Sequence, residues 1–117
     1  MHQYKELKLW QKAIELIADV YRETAKFPEK ERFGLISQIN RAAVSIPSNI
    51  AEGAGRNSDK EFLYFLSIAH GSTYELETQL IIANKLGYTS VEDLGNILGK
   101  LNELQKISYV FQRKLKV

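Results

Sequence analysis

The sequence contains no cysteine, which excludes a disulfide framework, a thiolate nucleophile and thiolate metal ligands together. Histidine is nearly as scarce. His2 and His70 are the only two, too few for a histidine-based metal site. The paired Glu-x-x-His motifs that build di-metal sites inside helical bundles do not occur. A phosphate-binding glycine loop is missing too, since Gly53-Ala54-Gly55 is too short for one and reads as a helix end. Charge of one sign is not in excess: 16 Lys and Arg against 14 Asp and Glu give a net charge of +2. That is too little to imply nucleic acid by itself. No apolar run approaches membrane-spanning length. The opening MHQYKELKLW lacks the apolar core of a secretion signal, so the cytoplasm is the expected location. Glu52, Glu75 and Glu77 remain as acid–base candidates, but nothing convergent accompanies them. No catalytic residue, metal ligand or cofactor is therefore assigned, and no enzymatic activity is expected.

What the 117 residues do carry is helical periodicity, in a length suited to one domain over residues 1–117. Leu7, Trp10, Ile14, Ile17 and Tyr21 alternate steps of three and four, which predicts a first helix from about Tyr4 to about Lys26. Phe27 and Pro28 close it. Glu29 to Arg32 opens the next, with Phe33, Leu35 and Ile36 beginning its buried face. Ile39, Ala43, Ile46, Ile50 and Ala54 continue that face through the least ordinary stretch, Gln38 to Arg56. Pro47 removes a backbone donor in mid-pattern, so this helix should kink there. Ser45 and Ser48 stand beside the break to satisfy freed backbone groups.

Ser58 and Glu61 form a capping box at the start of a third helix, about Asp59 to Leu86. Its main face is Phe62, Phe65, Leu66, Ala69, Thr73, Leu76, Leu80 and Ala83. Leu63, Tyr64, Ile68, Ile81 and Ile82 point elsewhere, which predicts a second neighbour, such as another subunit. Gly71 costs about 1 kcal/mol inside the helix and predicts a close helix–helix approach. Thr89 or Ser90 caps a fourth helix with a seam of Leu94, Leu98, Leu101, Leu104, Ser108, Phe111 and Leu115. Long amphipathic helices with short loops predict an all-α fold, an antiparallel up-down-up-down four-helix bundle.

Two polar groupings stand out. On the far side of the second helix lie Gln38, Arg41, Ser45, Ser48, Asn49, Glu52 and Arg56. Serine and asparagine are poor helix formers, so this stripe reads as a hydrogen-bonding network rather than an ordinary solvated face. Glu52 is expected to pair with Arg41 or Arg56 within it, inside one chain or across a subunit boundary. The second grouping is basic. Lys5, Lys8 and Lys12 share one side of the first helix, and Arg113, Lys114 and Lys116 close the chain. Each set is either a solvated, dipole-complementing face or a phosphate contact. In an antiparallel bundle the two sets meet at one end and merge into a basic rim.

The stretches LKLWQKAIEL, FPEKERFGLISQINRAAVSIPSNIAEGAGR and EFLYFLSIAHGSTYELETQLIIANKLGY resemble the bacterial four-helix-bundle family encoded in intervening sequences of 23S ribosomal RNA genes. Some members carry a ribosomal-protein label. The family is similar to the accessory variability protein of diversity-generating retroelements. The run SIPSNIAEG followed by GSxxELExQL is the specific part, and the resemblance spans nearly the whole chain. Members usually have two consecutive arginines after Gln-Ile; here the first is Asn40, which weakens any contact made through that position. The resemblance implies a homo-oligomer, a pentamer of bundles, associated with nucleic acid and without a reaction of its own.

Two functions follow as expectations. In the first, a basic oligomer binds structured RNA or DNA through phosphates at Lys5, Lys8, Lys12, Arg41, Arg56, Arg113, Lys114 and Lys116. In the second, the polar stripe or rim is a scaffold that recruits a nucleic-acid enzyme such as a reverse transcriptase. Few aromatics are placed by the sequence to stack on bases, so sequence-specific reading is not expected.

Overall fold

The computed structural model describes residues 2–115. These form four α-helices and no strand: α1 (Lys8–Thr24), α2 (Leu35–Ala54), α3 (Asp59–Lys85) and α4 (Val91–Lys114). Single 3-10 turns at Tyr4–Glu6 and Glu29–Glu31 precede α1 and α2. Each helix packs against two others, in the cycle α1–α2–α3–α4–α1, as in a bundle. The core between them holds Leu9, Ala13, Leu16 and Val20 of α1, Ile39, Ala43, Ile46 and Ile50 of α2, Phe62, Leu66, Leu76 and Leu80 of α3, and Ile97, Leu101 and Leu104 of α4.

The helix boundaries have local causes. Leu7 is extended (φ −76°, ψ 124°) and has no side-chain acceptor to offer, so α1 begins at Lys8 rather than at Tyr4. At α3 the Ser58 hydroxyl accepts from the Glu61 amide at 3.2 Å and donates to the Glu61 carboxylate at 3.3 Å. Ser90, not Thr89, caps α4, accepting from the Asp93 amide at 3.0 Å. Gly87 ends α3 at φ 82°, a conformation that suits glycine, while the Tyr88 amide returns to the Ala83 carbonyl at 2.9 Å.

Several expectations are corrected. Phe33 does not begin a buried face; it is 89% exposed. The Glu29–Glu31 turn is separate, and α2 starts only after Gly34, which leaves Phe33 outside the helix under the Arg32 guanidinium, 5.3 Å from its ring. On α1, Ile14 and Tyr21 are exposed, and the buried line is Leu9, Ala13, Leu16 and Val20. A helix with two neighbours buries the stripe between its contact lines, and step size alone does not choose among adjacent stripes. Gly71 has open space around its missing Cβ. The close approach is at Gly53, where an added Cβ would lie 2.8 Å from Phe65 Cβ and 2.9 Å from Phe62 Cδ1.

Pro47 lies buried inside α2, which continues through it. Neither Ser45 nor Ser48 donates a side-chain hydrogen bond to the backbone there among the described residues; instead the Asn49 side-chain amide donates to the Ser45 carbonyl at 2.8 Å and hydroxyl at 3.0 Å. Polar pairs tie neighbouring helices. α1 and α4 are linked by Lys12–Glu103 (3.0 Å), Asp19–Lys100 and Lys26–Asp93 (3.6 Å). α3 and α4 are linked by His70–Ser108 (3.0 Å) and Glu77–Gln105 (3.0 Å). At the α3–α4 turn, Thr89 donates to the buried Glu23 carboxylate at 2.6 Å, and the Tyr88 hydroxyl donates to Glu31 at 3.0 Å.

Candidate nucleic-acid interface

The start of α1 and the last turns of α4 border one groove of about 400 Å³. Leu7, Leu9, Ile107, Val110 and Phe111 form its floor, and Lys8, Lys106 and Lys114 stand around it. Lys8 is the first residue of α1 and Lys114 the last of α4, with Lys106 about two turns before it. Among the described residues no carboxylate lies within 4.0 Å of any of the three amines. An anion approaching this rim therefore meets three cations that form no ion pair among the described residues.

Of the candidates named from the sequence, Lys8 and Lys114 line this groove. The other candidates are placed as follows. Lys5 sits on the preceding turn with its amine 6.0 Å from the Tyr4 ring, and Lys12 is paired with Glu103. Arg113 donates to the Tyr109 hydroxyl at 3.1 Å and lies 5.6 Å from that ring. Lys116 lies outside the described residues. Arg41 and Arg56 stand on or just beyond α2, which does not touch α4, so they belong to a different surface. Arg56 pairs in the open with Glu52 at 2.7 Å and covers the Phe65 ring at 4.7 Å. Lys106 was not singled out from the sequence, although Asn102, Lys106, Tyr109 and Arg113 follow helical steps of four, three and four on one side of α4.

The expected polar network is only partly assembled. Ser45 meets Ser72 of α3 at 2.9 Å and receives Asn49. Gln38, Ser48 and Glu52 are exposed, so Glu52 is a surface ion-pair partner and not a member of a buried network. Asn40 faces inward and accepts from the Thr24 hydroxyl at 3.0 Å, tying α2 to α1. Gln79, 8% exposed, leaves its amide oxygen without a partner.

Titrating groups are tuned away from the basic groove. The Lys100 hydrogen bond, with Arg22 assisting and burial opposing, holds the Asp19 carboxyl below its usual value. The Leu35 amide and then the Tyr88 hydroxyl lower Glu31, and Glu31 in turn raises Tyr88. Burial lowers His70, favouring the neutral ring. Among the described residues no group of three or more His, Asp or Glu side chains converges to hold a metal ion. No described helix is long and apolar enough to cross a membrane.

Among curated proteins none matches the chain. A solved structure, a protein of unknown function from the S23 ribosomal protein family of Bacteroides thetaiotaomicron VPI-5482, is similar in fold, with a TM-score of 0.80. The two are 24% identical, over 89% of this chain and 97% of that one. The model of the 23S rRNA-intervening sequence protein family matches residues 5–109, and the chain belongs to that family.

Proposed function

We propose that the chain is a non-enzymatic, cytoplasmic, homo-oligomeric protein that associates with structured RNA or DNA, mainly through phosphates. The observation that carries this is the convergence of Lys8, Lys106 and Lys114 on one groove, with no carboxylate of the described residues within 4.0 Å of their amines. Three cations are a modest site alone. Repeated once per subunit, a pentamer by resemblance, they multiply weak phosphate contacts into useful affinity. An oligomer is supported by Tyr64, Ile68 and Ile82, exposed apolar residues along one line of α3. The reading takes residues 1–117 as one domain and the bundle as antiparallel. Residue numbers rise along α1 and fall along α4 through the pairs 12–103, 19–100 and 26–93. It also takes α2 as bent at Pro47, which has no amide to donate to the Ala43 carbonyl.

Titration of labelled hairpin RNA at several salt concentrations tests the phosphate reading. Each phosphate-contacting lysine replaced by alanine should lower the slope of log affinity against log salt by about one. Lys8→Ala, Lys106→Ala and Lys114→Ala together should therefore flatten it, with helicity unchanged. The apolar floor of the same groove favours a second reading, a scaffold whose rim recruits a nucleic-acid enzyme such as a reverse transcriptase. Lack of RNA binding at low salt by an intact oligomer moves the weight to that reading.

A further inference from the structure

On the other side of Lys106 and Val110, between α3 and α4, lies a second open groove of about 630 Å³. Tyr74 of α3 and Tyr109 of α4 border it, 52% and 55% exposed. Each ring is in contact with a neighbouring side chain of its own helix. His70 meets the Tyr74 ring edge-on at 5.2 Å, and His70 is itself held by Ser108 at 3.0 Å. Arg113 holds Tyr109 through its hydroxyl and its ring face. Exposed aromatic rings kept in place in this way have already lost the freedom that binding would otherwise remove.

The polar groups in the groove are those that read planar, hydrogen-bonding rings. The Gln105 amide nitrogen is fixed by Glu77 at 3.0 Å, leaving its oxygen free to accept. The Asn102 side chain lines the groove, makes no side-chain hydrogen bond among the described residues, and offers both a donor and an acceptor. Lys106 is common to this groove and the basic rim, so it reaches a phosphate beside whatever occupies the tyrosines.

We propose that this groove binds an unpaired nucleobase of single-stranded RNA or DNA, stacked on Tyr74 or Tyr109, with Asn102 and Gln105 at its edge and Lys106 on the adjoining phosphate. The inference rests on the nucleic-acid reading above and sharpens it. The phosphate rim holds any strand, while the tyrosine groove prefers strands with free bases. It also revises the expectation that aromatics suited to stacking are few. Tyr74 and Tyr109 lie on different helices, and only the fold brings them to one groove.

The test uses the intact protein and three probes: a single-stranded oligonucleotide, its abasic counterpart of equal length and charge, and a duplex. The single strand should bind at least about ten-fold more tightly than the abasic strand, the amount one stacked base supplies. Tyr109→Ala and Tyr74→Ala should each erode that margin, with duplex binding and salt slope unchanged. Tyr109→Phe should keep it. A 2-aminopurine placed in the single strand should change its emission on binding the parent and less so with the alanine variants. Equal affinity of the parent for base-bearing and abasic strands overturns the inference, and needs no variant to fold. If duplex binding with its steep salt dependence persists in that case, the phosphate reading stands alone. If no probe binds at low salt, both fall.

Discussion

The α2–α3 seam and the α1–α4 seam are built on different principles. Where α2 meets α3, the bundle's most extensively packed pair, small groups let backbones approach: Gly53 against Phe62 and Phe65, Ser45 against Ser72, Ala42 and Ala43 in the core. Where α1 meets α4, long charged side chains reach across from the edges, Lys12 to Glu103, Asp19 to Lys100 and Lys26 to Asp93. The first seam leaves no room between its helices at Gly53. The second opens, beyond its last ion pair, into the lysine-rimmed groove. Stability should therefore reside in the first seam and ligand access in the second.

The largest test of this contrast is Phe62→Ala. Phe62 is buried under Gly53 and packs edge-on to Phe111 at 5.5 Å, so its removal should cost about 3–5 kcal/mol in urea denaturation. Next is Gly53→Ala. Its new Cβ would meet Phe65 Cβ and the Phe62 carbonyl oxygen, 3.2 Å away, neither of which is a flexible end. Overpacking should cost about 1–3 kcal/mol despite alanine's better helix propensity. A neutral or stabilising Gly53→Ala breaks the idea that close approach defines this seam. Across the other seam, Lys100→Ala removes an exposed partner of Asp19 and should cost less than about 1 kcal/mol. If its loss matches that of Phe62→Ala, the contrast is wrong. Glu52→Ala belongs with the small effects for the same reason, since the Glu52–Arg56 pair is exposed.

The smallest effect sharpens the contrast through pH. Glu31 and Asp19 have folded-state values below their ordinary 4.5 and 3.8. The unfolded chain then binds more protons than the folded one in that range. Their stabilisation is complete above the ordinary values and is lost as pH falls through the lowered ones. Glu31→Gln should flatten the acid limb of a stability profile measured by circular dichroism. An unaltered acid limb removes Glu31 from the account.

Much of this architecture is legible in residue order. The capping box at Ser58 and Glu61, the glycine stop at Gly87 and the main face of α3 depend on neighbours within one or two turns, and those the sequence records directly. What it misses depends on a second helix. The buried line of α1 is set by having α2 and α4 as neighbours. Gly53 looks like a helix end until α3 is laid across it, and Gly71 looks like a contact until nothing is found there. Glu23, which nothing in its neighbours along the chain singles out, is a buried tie to Thr89 and Lys26. The same holds for the candidate sites. Lys8 and Lys114 follow from the expected topology, whereas the pairing of Tyr74 with Tyr109 depends on the rotation of each helix about its own axis.

The turn between α3 and α4 is fastened to the end of α1 and the start of α2 by Glu23 to Thr89 and Glu31 to Tyr88. The opposite end, where α1 begins and α4 finishes, carries the groove. Opening therefore has a direction. Amides around the α3–α4 turn should exchange with solvent deuterium only when much of the bundle lets go, while those of the last turns of α4 should exchange by local fraying. A strand held at the lysine rim would be bound by the part of the molecule that opens first, and its arrival should register as slowed exchange in α4 before anything changes at the clasped end.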